Sequence, residues 1–210
     1  VIGVIDYGMG NRRSVEKALE RVGAAVLVSA DARRLRGCGA LVLPGVGAFP
    51  RGMANLRAAG LDTLIAERVA AGVPLLGICL GMQLLFERSS ELGGADGLGL
   101  LCGEVTELAA GALRIPHIGW NEVTFVRSSP VTGRLPAGGA PFYHVHSFAV
   151  RPQDEADVVG YTRYGERFAT IVARENVFGV QFHPEKSSRG GLALLGAFVA
   201  LADRGIAAAV

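Results

Sequence analysis

Residues 1–5, 40–43 and 75–78 of this 210-residue chain contain no polar side chain. A strand wetted on one side alternates polar and apolar residues, so these uninterrupted runs predict strands covered on both faces. Segments of helical period lie between them. Val15, Ala18, Leu19 and Val22 recur at i, i+3, i+4 and i+7 with Gly23 to end the helix, and Leu61, Leu64 and Ile65 mark another over 61–71. A further strand is predicted over 25–29 and a buried helix over 80–87. Strands alternating with helices predict an α/β fold: an open, mostly parallel sheet with helices on both faces.

Beyond Gly93 the pattern changes. Residues 103–108, 120–126, 142–150, 158–164, 168–174 and 177–182 are rich in Val, Phe, Tyr and Thr and are separated by Gly, Pro and Asn. They predict antiparallel strands in the C-terminal half. A last helix carries Leu192, Leu195, Gly196 and Val199. No repeat or linker divides the chain, so residues 1–210 are read as one domain.

With 50% hydrophobic and 19% charged residues, the chain can build a substantial core and is not disordered. A net charge of +2 without a Lys/Arg run argues against nucleic acid as a partner. Residues 69–86 are uncharged, but Gly72, Pro74, Gly77, Gly81 and Gln83 break them up, so no membrane span is expected. The chain enters its first strand with no basic region or cleavage site, so no leader is expected. Cys38, Cys79 and Cys102 are odd in number and lack CxxC spacing. Neither a disulfide framework nor a zinc site is expected, and a reducing, cytoplasmic location is.

Gly77 and Gly81 flank Cys79 at the G-x-nucleophile-x-G spacing, between a predicted strand and a predicted helix. Such an elbow holds its central residue on a sharp turn at the carboxyl end of the sheet, where ligands bind in open α/β folds. The following helix N-terminus would favour the thiolate. A small buried cysteine in a glycine-rich core is the alternative. His183 follows an apolar strand and precedes Pro184, which presents it at a sheet end, and Glu185 could accept its Nδ1 hydrogen. The LPGVGAF stretch at 43–49 follows another strand; Gly45 and Gly47 leave N–H groups able to face an oxyanion, with Leu80 as the second donor. An ordinary glycine-rich turn is the alternative there. His144 and His146 share one side of a predicted strand, a spacing that can bind metal, but no third ligand is evident, and they and His117 are read as satisfied strand histidines.

The chain resembles the triad, or class I, glutamine amidotransferases, and within them the glutaminase subunits of imidazole glycerol phosphate synthase. The resemblance runs nearly end to end through DYGMGN at 6–11, LPGVGAF at 43–49, LGICLGMQLL at 76–85, HIGWN at 117–121 and GVQFHPEKS at 179–187. It implies the flavodoxin-like fold of that family. It also implies a catalytic triad of Cys79, His183 and Glu185, an oxyanion hole from Val46, Gly47 and Leu80, and substrate contacts from Gln83, Glu91, Ser147 and Phe148. The substrate would be L-glutamine, hydrolysed through a thioester without metal or organic cofactor. The partner would be a (β/α)₈-barrel cyclase subunit in a heterodimer, receiving ammonia for histidine biosynthesis and meeting Asn11, Trp120, Tyr143 and Lys186. The resemblance further implies low activity until the loaded partner turns the 44–47 strand so that the Val46 N–H replaces a carbonyl. His144 and Phe148 depart from the family pattern, which has an aromatic and a tyrosine there. Other readings are an amidotransferase subunit for vitamin B6, guanylate or anthranilate synthesis, a stand-alone cysteine hydrolase, and a binding module without catalysis.

Overall fold

The structure, a computed structural model, describes residues 1–207. In chain order its strands are β1 (Ile2–Ile5), β2 (Val26–Ser29), β3 (Ala40–Gly45), β4 (Leu75–Cys79), β5 (Phe86–Ser89), β6 (Ala95–Asp96), β7 (Leu101–Glu107), β8 (His117–Phe125), β9 (Gly139–His146), β10 (Phe148–Pro152), β11 (Val158–Tyr164), β12 (Glu166–Arg174) and β13 (Val177–Val180). Its α-helices are α1 (Arg12–Arg21), α2 (Ala32–Arg36), α3 (Phe49–Ala58), α4 (Leu61–Ala70), α5 (Leu80–Gln83) and α6 (Ser188–Ala207).

Nine strands form one open sheet in the order β2-β1-β3-β4-β13-β12-β11-β8-β9. The first five run parallel, and the remaining pairings are antiparallel. β3 shows why apolar runs belong here. Leu41 and Leu43 enter the core beneath α2, α3 and α4, with Leu35, Met53, Leu56 and Leu64. Ala40 and Val42 enter the opposite core, with Leu19 of α1 and Leu194, Leu195 and Phe198 of α6. Each side of the strand has its own layer of helices to bury against.

Several elements differ from expectation. The helix over 80–87 is a single turn, α5, because from Phe86 onward the backbone pairs with another strand. The chain instead extends into β5, which pairs parallel with β7. β13 also pairs parallel, with β4, as well as antiparallel with β12. The run 142–150 is two strands: β9 ends the large sheet, and β10 joins a second sheet of order β10-β7-β5-β6. Residue 147 is the crossing point. The unforeseen helix α3 begins directly at the end of the glycine-rich loop and buries Phe49, Met53 and Leu56; its Gly52 makes room for Leu80 and Leu84. Among the described residues, no helix is long and apolar enough to cross a membrane.

Candidate active site

β3, β4 and β13 are neighbouring parallel strands, so their carboxyl ends deliver three segments to one place. From β4 comes Cys79, at φ 55° and ψ −111°, a left-handed conformation rare for a residue with a side chain. The flanking glycines are obligatory for steric reasons. A Cβ on Gly77 would stand 2.6 Å from the Gly81 carbonyl oxygen, and one on Gly81 would overlap that of Leu43. The backbones of β3, β4 and α5 therefore touch at the elbow. A single helical turn aligns few peptide dipoles, so α5 does not supply the helix field expected at Cys79.

From β13 comes His183, stopped by Pro184 and anchored by its backbone N–H donating to Tyr143 O at 2.9 Å. Its Nδ1 meets Glu185 Oε1 at 2.9 Å, with both side chains almost fully buried. Burial pulls the His183 pKa down, but the hydrogen-bonding and charge influence of Cys79 and Glu185 outweighs it and raises the value to about 10. Asn11, at the start of α1, points its amide nitrogen at the same Glu185 oxygen from 3.5 Å.

From β3 comes the loop with Val46, 43% exposed, and Gly47 at φ 105°. Val46, Gly47, Cys79, Leu80, Gln83, Glu91, Ser147, Phe148, His183 and Lys186 line one cleft of about 290 Å³. Every residue expected in the oxyanion hole or around the substrate therefore borders the cavity that holds the cysteine and histidine. Glu91 reaches it from the turn after β5, with Oε2 accepting from Phe49 N–H at 2.7 Å. Ser147 and Phe148 reach it because the chain changes sheets there.

Trp120 and Tyr143 are paired residues of β8 and β9, with ring centroids 6.2 Å apart, and Trp120 is 54% exposed. Together with Lys186 they place an apolar and basic surface close to the cleft. His144 is fully buried, with Nδ1 3.1 Å from Phe142 O and Nε2 2.9 Å from Thr170 Oγ1, so both ring nitrogens are used inside the protein.

Sequence reasoning missed Gln181 and Val145. Gln181 Nε2 and the Val145 carbonyl oxygen each lie 3.8 Å from Cys79 Sγ. Gln181 also accepts from Gln83 Nε2 at 3.2 Å. The available signal was an amide in an otherwise apolar strand run, since a buried amide demands partners.

The family described as "Glutamine amidotransferase class-I" matches residues 3–200. The chain is 53% identical over 194 residues to the "Imidazole glycerol phosphate synthase subunit HisH" of Moorella thermoacetica, covering 92% of this chain and 91% of that one. It is 50% identical over 202 residues to the protein of the same name from Aquifex aeolicus, covering 96% and 97%. Among solved structures, one titled "Crystal structure of glutamine amidotransferase" superposes with a TM-score of 0.77 at 24% identity over 97% of this chain and 99% of that one, a likeness of fold.

Proposed function

The chain belongs to the class I glutamine amidotransferases, and from that premise we propose that it is the glutaminase subunit of an imidazole glycerol phosphate synthase. It hydrolyses L-glutamine to glutamate and ammonia for the synthase reaction of L-histidine biosynthesis. The observation that carries this reading is the delivery of Cys79 and His183, by adjacent parallel strands, to one cleft bordered by the substrate positions.

In the mechanism this geometry supports, Cys79 Sγ attacks the carboxamide carbon of glutamine while its proton resides on His183. The carbonyl electrons move onto oxygen, which the Leu80 N–H and an N–H of the Val46–Gly47 loop stabilise; one such donor is typically worth about 10²–10³ in rate. His183 then protonates the nitrogen, the C–N bond breaks, and ammonia leaves a γ-glutamyl thioester. Water gives its proton to His183 and attacks the thioester. The C–S bond breaks, glutamate departs, and the sulfur is left as the thiolate with the proton on His183, as at the start. Glu185 holds the imidazole with Nε2 toward the sulfur. The Glu91 carboxylate suits the substrate ammonium, Gln83 supports the same end, and the backbone at Ser147 and Phe148 suits the α-carboxylate.

The partner in this reading is a (β/α)₈-barrel cyclase seated against Asn11, Trp120, Tyr143 and Lys186, which takes the ammonia through a channel. Residues 1–210 act as one glutaminase domain. The free thiols of Cys38, Cys79 and Cys102 fit a reducing compartment, and we assign the enzyme to the cytoplasm.

The test is a steady-state assay with the barrel subunit present and absent. Cys79→Ala should abolish glutamine-dependent synthesis and leave synthesis from ammonium salts intact. Retained glutamine-dependent synthesis in this variant would reject Cys79 as the nucleophile.

A further inference from the structure

His146 borders the cleft and faces the buried His117, and neither ring has a part in the chemistry above. His146 Nδ1 lies 2.8 Å from Phe148 O. A carbonyl only accepts, so Nδ1 carries the hydrogen and a neutral ring leaves Nε2 bare. His117 Nδ1 meets that nitrogen at 3.0 Å and must donate to it. His117 Nε2 is then the acceptor for the Asn121 amide at 3.2 Å, while that amide also donates to Arg163 O at 3.0 Å. Burial keeps both rings uncharged, lowering His117 to about 4 and His146 to about 3. The hydrogens of the row therefore all point one way, from β8 to the Phe148 carbonyl.

That carbonyl is held from a second side by Gln83 Nε2 at 3.1 Å. Gln83 is tied to Gln181, and Gln181 to Cys79 Sγ. The two chains of contacts meet where the backbone leaves the nine-stranded sheet and lines the cleft. Backbone pairing with β7 holds this crossing on one side, through Leu108 N–H to Ser147 O at 2.9 Å and the Phe148–Glu107 register, while the Phe148 carbonyl takes its donors from the side chains of His146 and Gln83.

We infer that His117 and His146 are positioning residues for substrate: a one-way hydrogen-bond row that fixes residue 148 and so sets the Ser147–Phe148 backbone against the carboxylate end of glutamine. This inference rests on the glutaminase reading. A merely structural pair would support the core and leave substrate affinity alone.

Two measurements test it. Nitrogen-15 histidine spectra of the unaltered protein at neutral pH should show His117 and His146 neutral, each with its hydrogen on Nδ1. A hydrogen on Nε2 alone at either ring overturns the row, and this arm needs neither turnover nor a variant. In the complex with the barrel subunit, His146→Asn keeps an amide N–H near the Nδ1 position, whereas His146→Gln moves the amide toward Nε2. The glutamine KM should stay within about threefold for His146→Asn and rise about tenfold or more for His146→Gln, with kcat within about threefold in both. Equal KM values, or a fall in kcat at constant KM, overturn the positioning role. Synthesis from ammonium salts reports that both variants fold and assemble. Should they fail to assemble, the spectra decide. Absence of glutamine hydrolysis by the unaltered complex would reject the glutaminase reading and leave the row to be judged by the spectra.

Discussion

Glu185 is bonded to His183 at 2.9 Å, Oε1 to Nδ1, although only Pro184 separates them in the chain. In the proposed triad the third member thus comes from a tight local turn rather than from another strand. Its other oxygen, Oε2, is buried and has no hydrogen-bond partner among the described residues, so the carboxylate is committed to the imidazole on one side only.

Glu185→Gln should therefore lower glutamine turnover by about 10²- to 10⁴-fold, less than His183→Ala, because orientation is lost while the proton carrier remains. Removing the carboxylate also removes one of the influences that raise the His183 pKa, which should fall toward its ordinary value. The kcat of glutamine hydrolysis in the assembled synthase and a pH titration of His183 check the two parts separately.

Gly81→Ala should destabilise the fold by about 3 kcal/mol or more, since the new methyl would overlap the Leu43 carbonyl and no rotamer can relieve it. Gly138→Ala is the control. That glycine is exposed, has no positive φ and has nothing within 4 Å of where an alanine methyl would stand, so its effect should stay within about 0.5 kcal/mol. Urea unfolding of both variants measures the difference.

His144→Phe should reduce the loss of stability in acid. Burial above all pushes the His144 pKa well below 6.5. Below that pH the unfolded chain takes up a proton that the folded ring refuses. His144 therefore costs stability as pH falls, by about 1.4 kcal/mol per pH unit while one extra proton is bound on unfolding. Phenylalanine abolishes this slope. At neutral pH it costs about 1–3 kcal/mol, because the Thr170 hydroxyl loses its acceptor. Urea midpoints between pH 6.5 and 4.5 give the slope, and an unchanged slope would mean that folded His144 accepts the proton.

Trp120→Ala should leave the isolated chain folded, because more than half of the side chain is in solvent. It should weaken binding to the barrel subunit by about 2 kcal/mol or more, the usual loss on truncating an interface aromatic anchor. Titration calorimetry with the barrel subunit measures it; unchanged affinity would place the contact elsewhere.

What could be read in advance was local. The glycines around Cys79, the proline after His183 and the unbroken apolar runs each carry their structural meaning within a few residues. Residues 142–150 read by composition as one strand-forming run, with no Gly, Pro or Asn at Ser147 to disclose that the chain changes sheets there. Gln181 eluded the reading, and the partners of His117, which was read as a satisfied strand histidine, eluded it for a related reason. Gln181 directly follows β13 and His117 opens β8, and the partners that explain them, Cys79 and His146, lie far along the chain. The convergence of Cys79 and His183 likewise depends on strand order, which no spacing within the sequence specifies.

The backbone contact among β3, β4 and α5 at Gly77 and Gly81 also limits how such an enzyme can diversify. Moving the elbow cysteine by even one position would require three main-chain segments to be rebuilt together, so single substitutions cannot explore alternatives there. Variation has room only on the rim, at the 46–47 loop, Glu91 and the 147–148 crossing. A new amide donor would be accommodated by reshaping that border around an unaltered sulfur.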